Sequence, residues 1–324
     1  MSPGRLTSTP SVQTRLQQVD WTALARGLGE RGWATTPPLL TAAECAELIA
    51  LYPEEARFRS RVDMARFRFG EGEYKYFADP LPPVVHALRR HAYPPLAAIA
   101  GEWERALGRA TSYPAALDGF LALCAEHGQR KPTPLMLRYE PGGYNCLHQD
   151  LYGEIAFPLQ MTCLLSRPGE DFEGGEFLLV EQRPRAQSRG EVVPLAQGQV
   201  VIFATRERPA RGARGVHRVN LRHGVSRVTA GLRYTLGVIF PDATSCGVGR
   251  GAGGWLGPRP VARGSPVRSS QSGLLLGRLA SQGTGPSHPP APLPTPPCQI
   301  RVRSRFGVAL TGQRRGRMSR AKVS

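Results

Sequence analysis

From Pro134 onward the sequence breaks into short apolar segments that glycine and proline separate from one another. The segments are LMLRYE, LQMTCLLS, EFLLVE, QVVIFA and LRYTLGVIF, and turn dipeptides such as Pro168-Gly169 and Gly174-Gly175 stand between them. Segments of this length and composition are typical of β-strands. Because no helical pattern intervenes, the strands must bury their apolar faces against one another. This predicts a sandwich or barrel of the jelly-roll type.

The residues before this strand-rich part indicate helices. Apolar residues recur at helical spacing from Trp21 to Leu28, and Thr41 with Glu44 has the spacing of a capping box. A third helix is expected around Val84 and Leu88.

A fourth helix, with apolar residues from Leu96 to Leu107, is expected to begin at Pro94-Pro95, since proline is favoured in the first helical turn. Between the helices, residues 58–77 alternate aromatic and charged side chains, which is compatible with a hairpin or with a loop. The sequence therefore predicts an α+β protein. Its expected parts are a disordered N-terminus (1–16), a helical region packed on the core (17–130), a double-stranded β-helix or jelly-roll core (131–245) and a disordered basic tail (246–324).

The net charge of +17 belongs mostly to the tail. Residues 246–324 hold 13 of the 42 Lys and Arg residues and no Asp or Glu, which leaves +4 for residues 1–245. The tail is rich in Gly, Pro, Ser and Arg and cannot bury enough apolar surface to offset the entropy of ordering. We interpret it as a solvated extension rather than a dedicated nucleic-acid arm.

The remaining composition favours a cytoplasmic protein without a membrane segment. No apolar run approaches the roughly 18 to 20 residues that a spanning helix needs, and the N-terminus has no apolar signal segment. The six cysteines contain no C-x-x-C pair. Neither a disulfide framework nor a zinc knuckle is therefore expected.

A candidate metal motif follows a glycine-containing turn in YEPGGYNCLHQDLYGE. His148 and Asp150 are two residues apart, so on a strand both side chains lie on one face and can bind one cation. A turn aspartate beside a surface histidine is the alternative. A facial triad of two histidines and one carboxylate leaves three positions of an octahedral Fe(II) open. The second histidine must come from downstream, where His217 and His223 are the candidates.

The segment HGVSRVTAGLRYTLGVIF places Arg233 ten residues after His223. This order of H-x-D, distal histidine and basic residue resembles the prolyl-4-hydroxylase-like family of 2-oxoglutarate- and Fe(II)-dependent oxygenases. PTPLMLRYEPGGYNCLHQDLYGE and RHGVSRVTAGLRYTLGVIF are similar to an uncharacterised bacterial branch of that superfamily. The resemblance selects His223 over His217, which is expected to be a polar neighbour of the site. It implies that Fe(II) is bound by His148, Asp150 and His223.

The last strand supports a cosubstrate site beside the metal. Arg233 and Thr235 share one face, and the other face carries the apolar side chains that should pack on the helices. An unpaired guanidinium inside the barrel would be costly, so Arg233 needs a buried anion. The resemblance implies that this anion is the distal carboxylate of 2-oxoglutarate, bound by Arg233 and the Thr235 hydroxyl. Tyr139 resembles a residue that lines this pocket, with a core tyrosine as the alternative.

The resemblance implies an enzyme, a 2-oxoglutarate-dependent non-haem iron dioxygenase. It would use Fe(II), 2-oxoglutarate and molecular oxygen, with ascorbate as a further cofactor, and would hydroxylate a substrate C–H bond with release of succinate and carbon dioxide. No catalytic residue beyond the metal ligands is expected.

The prolyl-hydroxylase-like core favours a peptidyl or amino-acid substrate. One alternative is oxidative demethylation of damaged nucleic acid, for which residues 57–77 are the only stretch that suggests a basic, aromatic-lined groove for a flipped base. Another is a non-catalytic metal-binding jelly roll, which would leave Arg233 without an anion.

Overall fold

The computed structural model describes residues 10–183, 185–213 and 215–244. The predicted tail (246–324) and the first nine residues of the predicted disordered N-terminus lie outside the described residues. No helix in the described part is long and apolar enough to cross a membrane.

The prediction of a disordered N-terminus is wrong for the part of it that the structure describes, because Val12–Gln17 forms a helix. Ser11 caps this helix, and its Oγ accepts a hydrogen bond from the Thr14 amide at 3.2 Å. Leu16 is buried in the main apolar core. Capping and burial together stabilise a helix that is too short to be stable alone.

Six α-helices lie in the described residues: α1 (Val12–Gln17), α2 (Trp21–Arg31), α3 (Ala42–Leu51), α4 (Met64–Phe67), α5 (Pro83–Ala106) and α6 (Leu117–Glu126). The strands of the same residues are β1 (Trp33–Thr35), β2 (Phe58–Asp63), β3 (Gly70–Glu71), β4 (Glu73–Phe77), β5 (Gln129–Lys131), β6 (Leu135–Tyr139), β7 (Tyr144–His148), β8 (Leu159–Leu164), β9 (Phe172–Gly174), β10 (Phe177–Gln182), β11 (Arg189–Val193), β12 (Val200–Ala204), β13 (Glu207–Gly212), β14 (Gly215–Val225), β15 (Val228–Gly231), β16 (Arg233–Val238) and β17 (Ala243–Thr244).

Helix α5 is continuous where the sequence predicted two helices. Pro94-Pro95 lies inside it, not at a helix start. Each proline removes one backbone hydrogen bond. The helix nevertheless buries a long apolar face, and Arg89 fastens it to the sheet by donating to the carbonyls of Ile239 and Phe240 at 2.9 and 2.7 Å. Tertiary packing therefore outweighs the local tendency of the prolines to interrupt the helix.

Two antiparallel sheets form the jelly roll. The seven-stranded sheet has the order β1-β12-β8-β16-β6-β4-β2, and the second sheet has the order β11-β10-β14-β7-β3 with β13 paired to β14. The inner faces of the sheets meet in one core, where the rings of Phe177 on β10 and Phe203 on β12 are 5.0 Å apart. The predicted α+β class with a jelly-roll core is confirmed.

The N-terminal region also contributes strands, so the description of residues 17–130 as helical is wrong in this respect. Strand β1 pairs with β12, the β2–β4 hairpin pairs with β6, and β3 pairs with β7. Strands as short as β1 and β3 contain too few residues to show an alternating pattern in the sequence. Through β3 and β4 the N-terminal region reaches the interior of the jelly roll.

The last strand has the two faces that its sequence predicts. Leu236 and Val238 belong to the same apolar core as the buried face of α5. Arg233 and Thr235 are buried on the opposite face, toward the interior. Leu232, predicted to lie on the packed face, is exposed because it precedes the strand.

Residues 58–77 form a hairpin, one of the two possibilities that the sequence leaves open. In it Val62 of β2 lies opposite Tyr74 of β4, with α4 and β3 in the connection. Lys75 is buried and donates to the Tyr52 carbonyl at 2.9 Å and to Glu55 at 2.6 Å. Tyr74 and Tyr76 lie on the other face of β4, where they line the interior cavity.

Candidate metal and cosubstrate site

The H-x-D motif lies at the end of β7, next to β14. His148 is the last residue of β7, and His223 is its direct register partner on β14. The two ring centroids are 4.1 Å apart. Gly224 permits this close approach, because a Cβ atom there would lie only 2.7 Å from the carbonyl oxygen of Asn145.

Asp150 completes a compact group with the two histidines. One carboxylate oxygen lies 3.3 Å from Nε2 of His223, and the other lies 3.6 Å from Nε2 of His148. The three possible ligand atoms all lie within 4.8 Å of one another. Two imidazoles and one carboxylate are the donor set that leaves open positions on a non-haem iron.

The protonation states of this group suit metal binding. Burial opposes ionisation of Asp150, but His148, His223 and Gln160 more than offset this and hold the pKa of the carboxyl well below its usual range. Burial, together with His148, lowers the pKa of His223 to about 4, although Asp150 acts in the opposite direction. Near neutral pH Asp150 is therefore ionised and His223 is neutral, as a cation requires of its ligands.

Neighbouring polar groups orient the triad. Nδ1 of His148 lies 2.8 Å from the carbonyl oxygen of Cys146, so that this nitrogen donates and Nε2 faces Asp150. The side-chain nitrogen of Gln160, which is buried on β8, lies 3.5 Å from Nε2 of His223. The contact with the Cys146 carbonyl fixes the tautomer and the orientation of His148, whereas Nδ1 of His223 makes no hydrogen bond within the described residues.

Arg233 is buried in the same cavity without an anionic partner among the described residues. Its Nε and Nη1 atoms make no hydrogen bond, and its guanidinium lies 5.5 Å from the ring of Tyr139 and 5.7 Å from that of Phe172. Burial lowers the pKa of Arg233 to about 10, although Tyr139 and Glu176 act in the opposite direction, and Arg233 stays charged near neutral pH. Glu176 forms no ion pair with it. A buried, charged and unpaired guanidinium is costly unless an anion binds to it.

Tyr139 and Thr235 lie beside this guanidinium. Tyr139 is the register partner of Arg233 on β6, and its buried hydroxyl makes no hydrogen bond within the described residues. Burial raises the pKa of Tyr139 to about 12, so the hydroxyl stays protonated and can donate. Thr235, also buried, lines the cavity next to it. The structure therefore brings together the three residues that the sequence assigns to cosubstrate binding.

One cavity of about 160 Å³ contains both groups, and much of its wall is aromatic. Tyr74 and Tyr76 of β4 contribute rings whose centroids are 5.5 Å apart. Tyr152 lies edge-on to Tyr76, at 6.2 Å, and its hydroxyl is 3.5 Å from Asp150. Phe69, which is half-buried, adds a further ring to the wall.

The sequence indicated some of these wall residues only indirectly. Tyr74 and Tyr76 lie in the aromatic stretch that it singled out, but nothing local shows that they face the metal group. Tyr152 follows Asp150 by two residues and so continues the alternation of His148 and Asp150, a local signal that it could share their face. Gln160 left no local signal, because only the pairing of β8 brings it to the triad.

His217 is not a neighbour of the site, and the expectation that it lies there is wrong. It is opposite Ala210 near the turn of the β13–β14 hairpin, six residues before His223 along the same extended strand. At about 3.3 Å per residue this separates the two histidines by about 20 Å.

The model of the Oxygenase-NA family, described as an oxygenase catalysing oxidative methylation of damaged DNA, matches residues 72–243. The matched segment includes the triad and Arg233. Its members are 2-oxoglutarate-dependent oxygenases, a class that uses Fe(II) and 2-oxoglutarate. The chain belongs to this family.

Two uncharacterised proteins of Mycobacterium tuberculosis, from strains CDC 1551 / Oshkosh and H37Rv, are each 50% identical to the chain over 167 residues. The match covers 52% of this chain and 72% of each relative.

Solved structures with a similar fold include a prolyl-4-hydroxylase of Pseudomonas putida and an oxidoreductase of the 2OG-Fe(II) oxygenase family from Burkholderia pseudomallei. The first is 15% identical, with a TM-score of 0.41 and coverage of 68% of this chain and 98% of the hydroxylase. The second is 18% identical, with a TM-score of 0.42 and coverage of 69% and 94%.

Proposed function

We propose that this oxygenase oxidises a methyl group carried by a damaged nucleic-acid base. The main support for the proposal is the set of residues that line one cavity. A compact His-Asp-His group, a buried arginine without an anion and an aromatic wall all face the same space. The family description, which names damaged DNA, supports the same substrate.

Fe(II) fits the group formed by His148, Asp150 and His223. The carboxylate is ionised, the buried imidazole is neutral, and the three side chains are close enough to bind one ion. These three residues would hold the ion and would leave its remaining positions to cosubstrate and oxygen.

2-Oxoglutarate fits the space between this group and Arg233. Its distal carboxylate would supply the anion that the guanidinium lacks and would accept hydrogen bonds from the hydroxyls of Tyr139 and Thr235. When bound, Fe(II) and 2-oxoglutarate supply the oxidant. The overall reaction would place one atom of O₂ in succinate, with loss of carbon dioxide, and the other in a substrate C–H bond.

The residues of this chain determine which bond is oxidised. The aromatic wall would present ring edges and faces to a planar group. Arg59 packs on the ring of Tyr76, with its guanidinium 4.5 Å from the ring centroid. A base flipped out of its helix or strand can stack against aromatic side chains of this kind. Hydroxylation of an N-methyl group on that base would give an unstable adduct that releases formaldehyde.

The sequence alone favoured a peptidyl or amino-acid substrate. The aromatic wall and the family description instead support a nucleic-acid base as the substrate. Activity on peptides is therefore the competing outcome of the test.

The test is substrate-dependent succinate release by the iron-loaded protein. We expect stimulation, with matching formaldehyde, by a methylated oligonucleotide and not by the same oligonucleotide without the methyl group. Stimulation by peptides or free amino acids alone would replace the proposal with peptidyl or amino-acid hydroxylation. Absence of any 2-oxoglutarate turnover would favour a non-catalytic jelly roll.

A further inference from the structure

Arg68, which follows α4, has a backbone conformation that arginine rarely adopts. Its φ and ψ angles are 59° and 32°, in the left-handed region, and its amide donates to Ala65 at the helix end. Among the described residues, Arg68 and Arg185 are the only ones other than glycine with positive φ. Glycine is strongly favoured at such a helix end. The position of this side chain is therefore of interest.

The side chain of Arg68 is exposed, lines the cavity of the metal group, and has no ion-pair partner within the described residues. Among the other arginines near the hairpin, Arg66 is also exposed and without an ion pair within the described residues, but it does not line the cavity. Two others are engaged. Arg61 and Arg138 both contact Glu73. Arg68 thus presents an uncompensated cation where the cavity meets solvent.

Arg68 lies between two phenylalanines in the sequence, Phe67 and Phe69. Phe67 and Phe69 stack on one another with centroids 5.6 Å apart and planes within 19°. Phe69 lines the cavity, and the pair is only half-buried. Stacked aromatic side chains beside an arginine are the combination that binds single-stranded nucleic acid, through base stacking and phosphate contact.

The cavity therefore has two arginines with different surroundings. Arg233 is buried at the end that suits a small dicarboxylate, whereas Arg68 is exposed at the entrance. A guanidinium fork binds phosphate through two parallel hydrogen bonds. A ligand that suits this cavity has a planar part for the aromatic wall and an anionic part for Arg68. A nucleotide within a strand has both, whereas a free base or an uncharged amino acid does not.

We propose that Arg68 binds the phosphodiester next to the base that enters the cavity, and that its left-handed conformation places the guanidinium for this contact. The inference rests on the proposed function, because it assumes a nucleic-acid substrate. It adds that the substrate is recognised as part of a strand.

The first test is the Arg68→Gly variant, with Arg185→Gly as the matched control. Both replace a left-handed arginine, but Arg185 lies in the β10–β11 turn and does not line the cavity. We expect each variant to keep its melting temperature or gain roughly 2 °C, because glycine removes the strain. Arg68→Gly alone should weaken binding of a methylated single-stranded oligonucleotide, by about tenfold. A fall in melting temperature with unchanged binding would make Arg68 a structural residue and overturn the inference.

The second test removes the charge from the ligand. Methylphosphonate linkages are placed one at a time on either side of the methylated base, and binding is measured by fluorescence anisotropy at about 200 mM salt, where nonspecific contacts are weak. For the wild-type protein one linkage should weaken binding by about tenfold, and for Arg68→Gly the same linkage should have no further effect. This comparison is insensitive to the basic tail, which is present in both proteins.

The outcomes separate the inference from the proposed function. If wild type binds the methylated oligonucleotide and both proteins respond equally to every neutral linkage, the phosphate contact is wrong while the nucleic-acid substrate stands. If wild type fails to bind the oligonucleotide but binds an acidic peptide, both are wrong.

Discussion

His148 and His223 are direct partners across the β7–β14 pair, with ring centroids 4.1 Å apart. Asp150 lies within 3.6 Å of an Nε2 atom on each ring. Register brings the two histidines together, and a shift of one residue between the strands would turn one ring to the opposite face. The proposed metal site therefore depends on the pairing of the second sheet.

We predict that His223→Ala abolishes tight Fe(II) binding while His217→Ala leaves it nearly unchanged. Removal of one of three protein ligands should weaken binding by at least the roughly 10- to 100-fold that loss of an outer-shell partner costs. His217 lies on the same strand but far from the triad, so it is the matched control. Iron retained after gel filtration measures the effect. If His223→Ala retained iron and His217→Ala lost it, His217 and not His223 would be the distal ligand.

The ion pair between Glu181 and Arg208 should make the fold sensitive to acid. Both side chains are buried and are joined at 2.5 Å, and Arg208 also donates to the Gly29 and Glu30 carbonyls at the end of α2. Burial opposes ionisation of Glu181, but hydrogen bonds from Arg183 and Arg208 lower its pKa below the ordinary value. Its contribution to stability is therefore present above the unfolded-state pKa of about 4.3 and is lost as the pH falls through the lower, folded-state pKa.

Glu181→Gln should accordingly reduce the free energy of unfolding by about 3 to 5 kcal/mol near neutral pH, because it leaves a buried guanidinium without its counter-ion. The difference from wild type should shrink below about pH 4. Urea unfolding across this range measures both effects. Arg183→Ala, which removes the half-exposed partner of the same carboxylate, should cost no more than about 1 kcal/mol. Equal losses in the two variants would contradict the role given to burial.

Deletion of residues 246–324 should leave folding and uncoupled 2-oxoglutarate turnover intact. The last described strand, β17, ends at Thr244, before the deletion begins. The deletion removes 13 positive charges, so any loss of oligonucleotide binding should come with a weaker salt dependence. Thermal unfolding and succinate release of the truncated protein check the first expectation. An insoluble product, or one that no longer retains iron, would contradict the boundary.

Five strands of the core could be predicted because each combines apolar residues with flanking turn residues; they are β6, β8, β10, β12 and β16. The inward position of Arg233 could also be predicted, since a strand alternates its faces strictly. The helix boundary at Pro94-Pro95 could not, because the buried face of α5 and the contacts of Arg89 decide it. Those contacts lie about 150 residues away in the sequence.

Site residues that are close together in the sequence could be predicted. Site residues that strand pairing brings together from distant parts of the sequence could not. His148 and Asp150 form a local motif, whereas Gln160 and Tyr74 reach the cavity only through the pairing of β8 and β4. The use of Arg68 was equally hidden, because its sequence neighbourhood does not reveal a left-handed backbone.

Binding of 2-oxoglutarate by Arg233 tests the account most directly, since it joins the metal group to the buried unpaired cation. The measurement is an anaerobic titration of 2-oxoglutarate into the iron-loaded protein, followed by the metal-to-ligand charge-transfer band. The band should form in wild type and in Arg227→Ala, whose exposed side chain donates to the Gly142 carbonyl. Arg233→Ala should need roughly 30-fold more cosubstrate, the equivalent of about 2 kcal/mol or more. Unchanged affinity in Arg233→Ala, or absence of the band in wild type, would contradict the account.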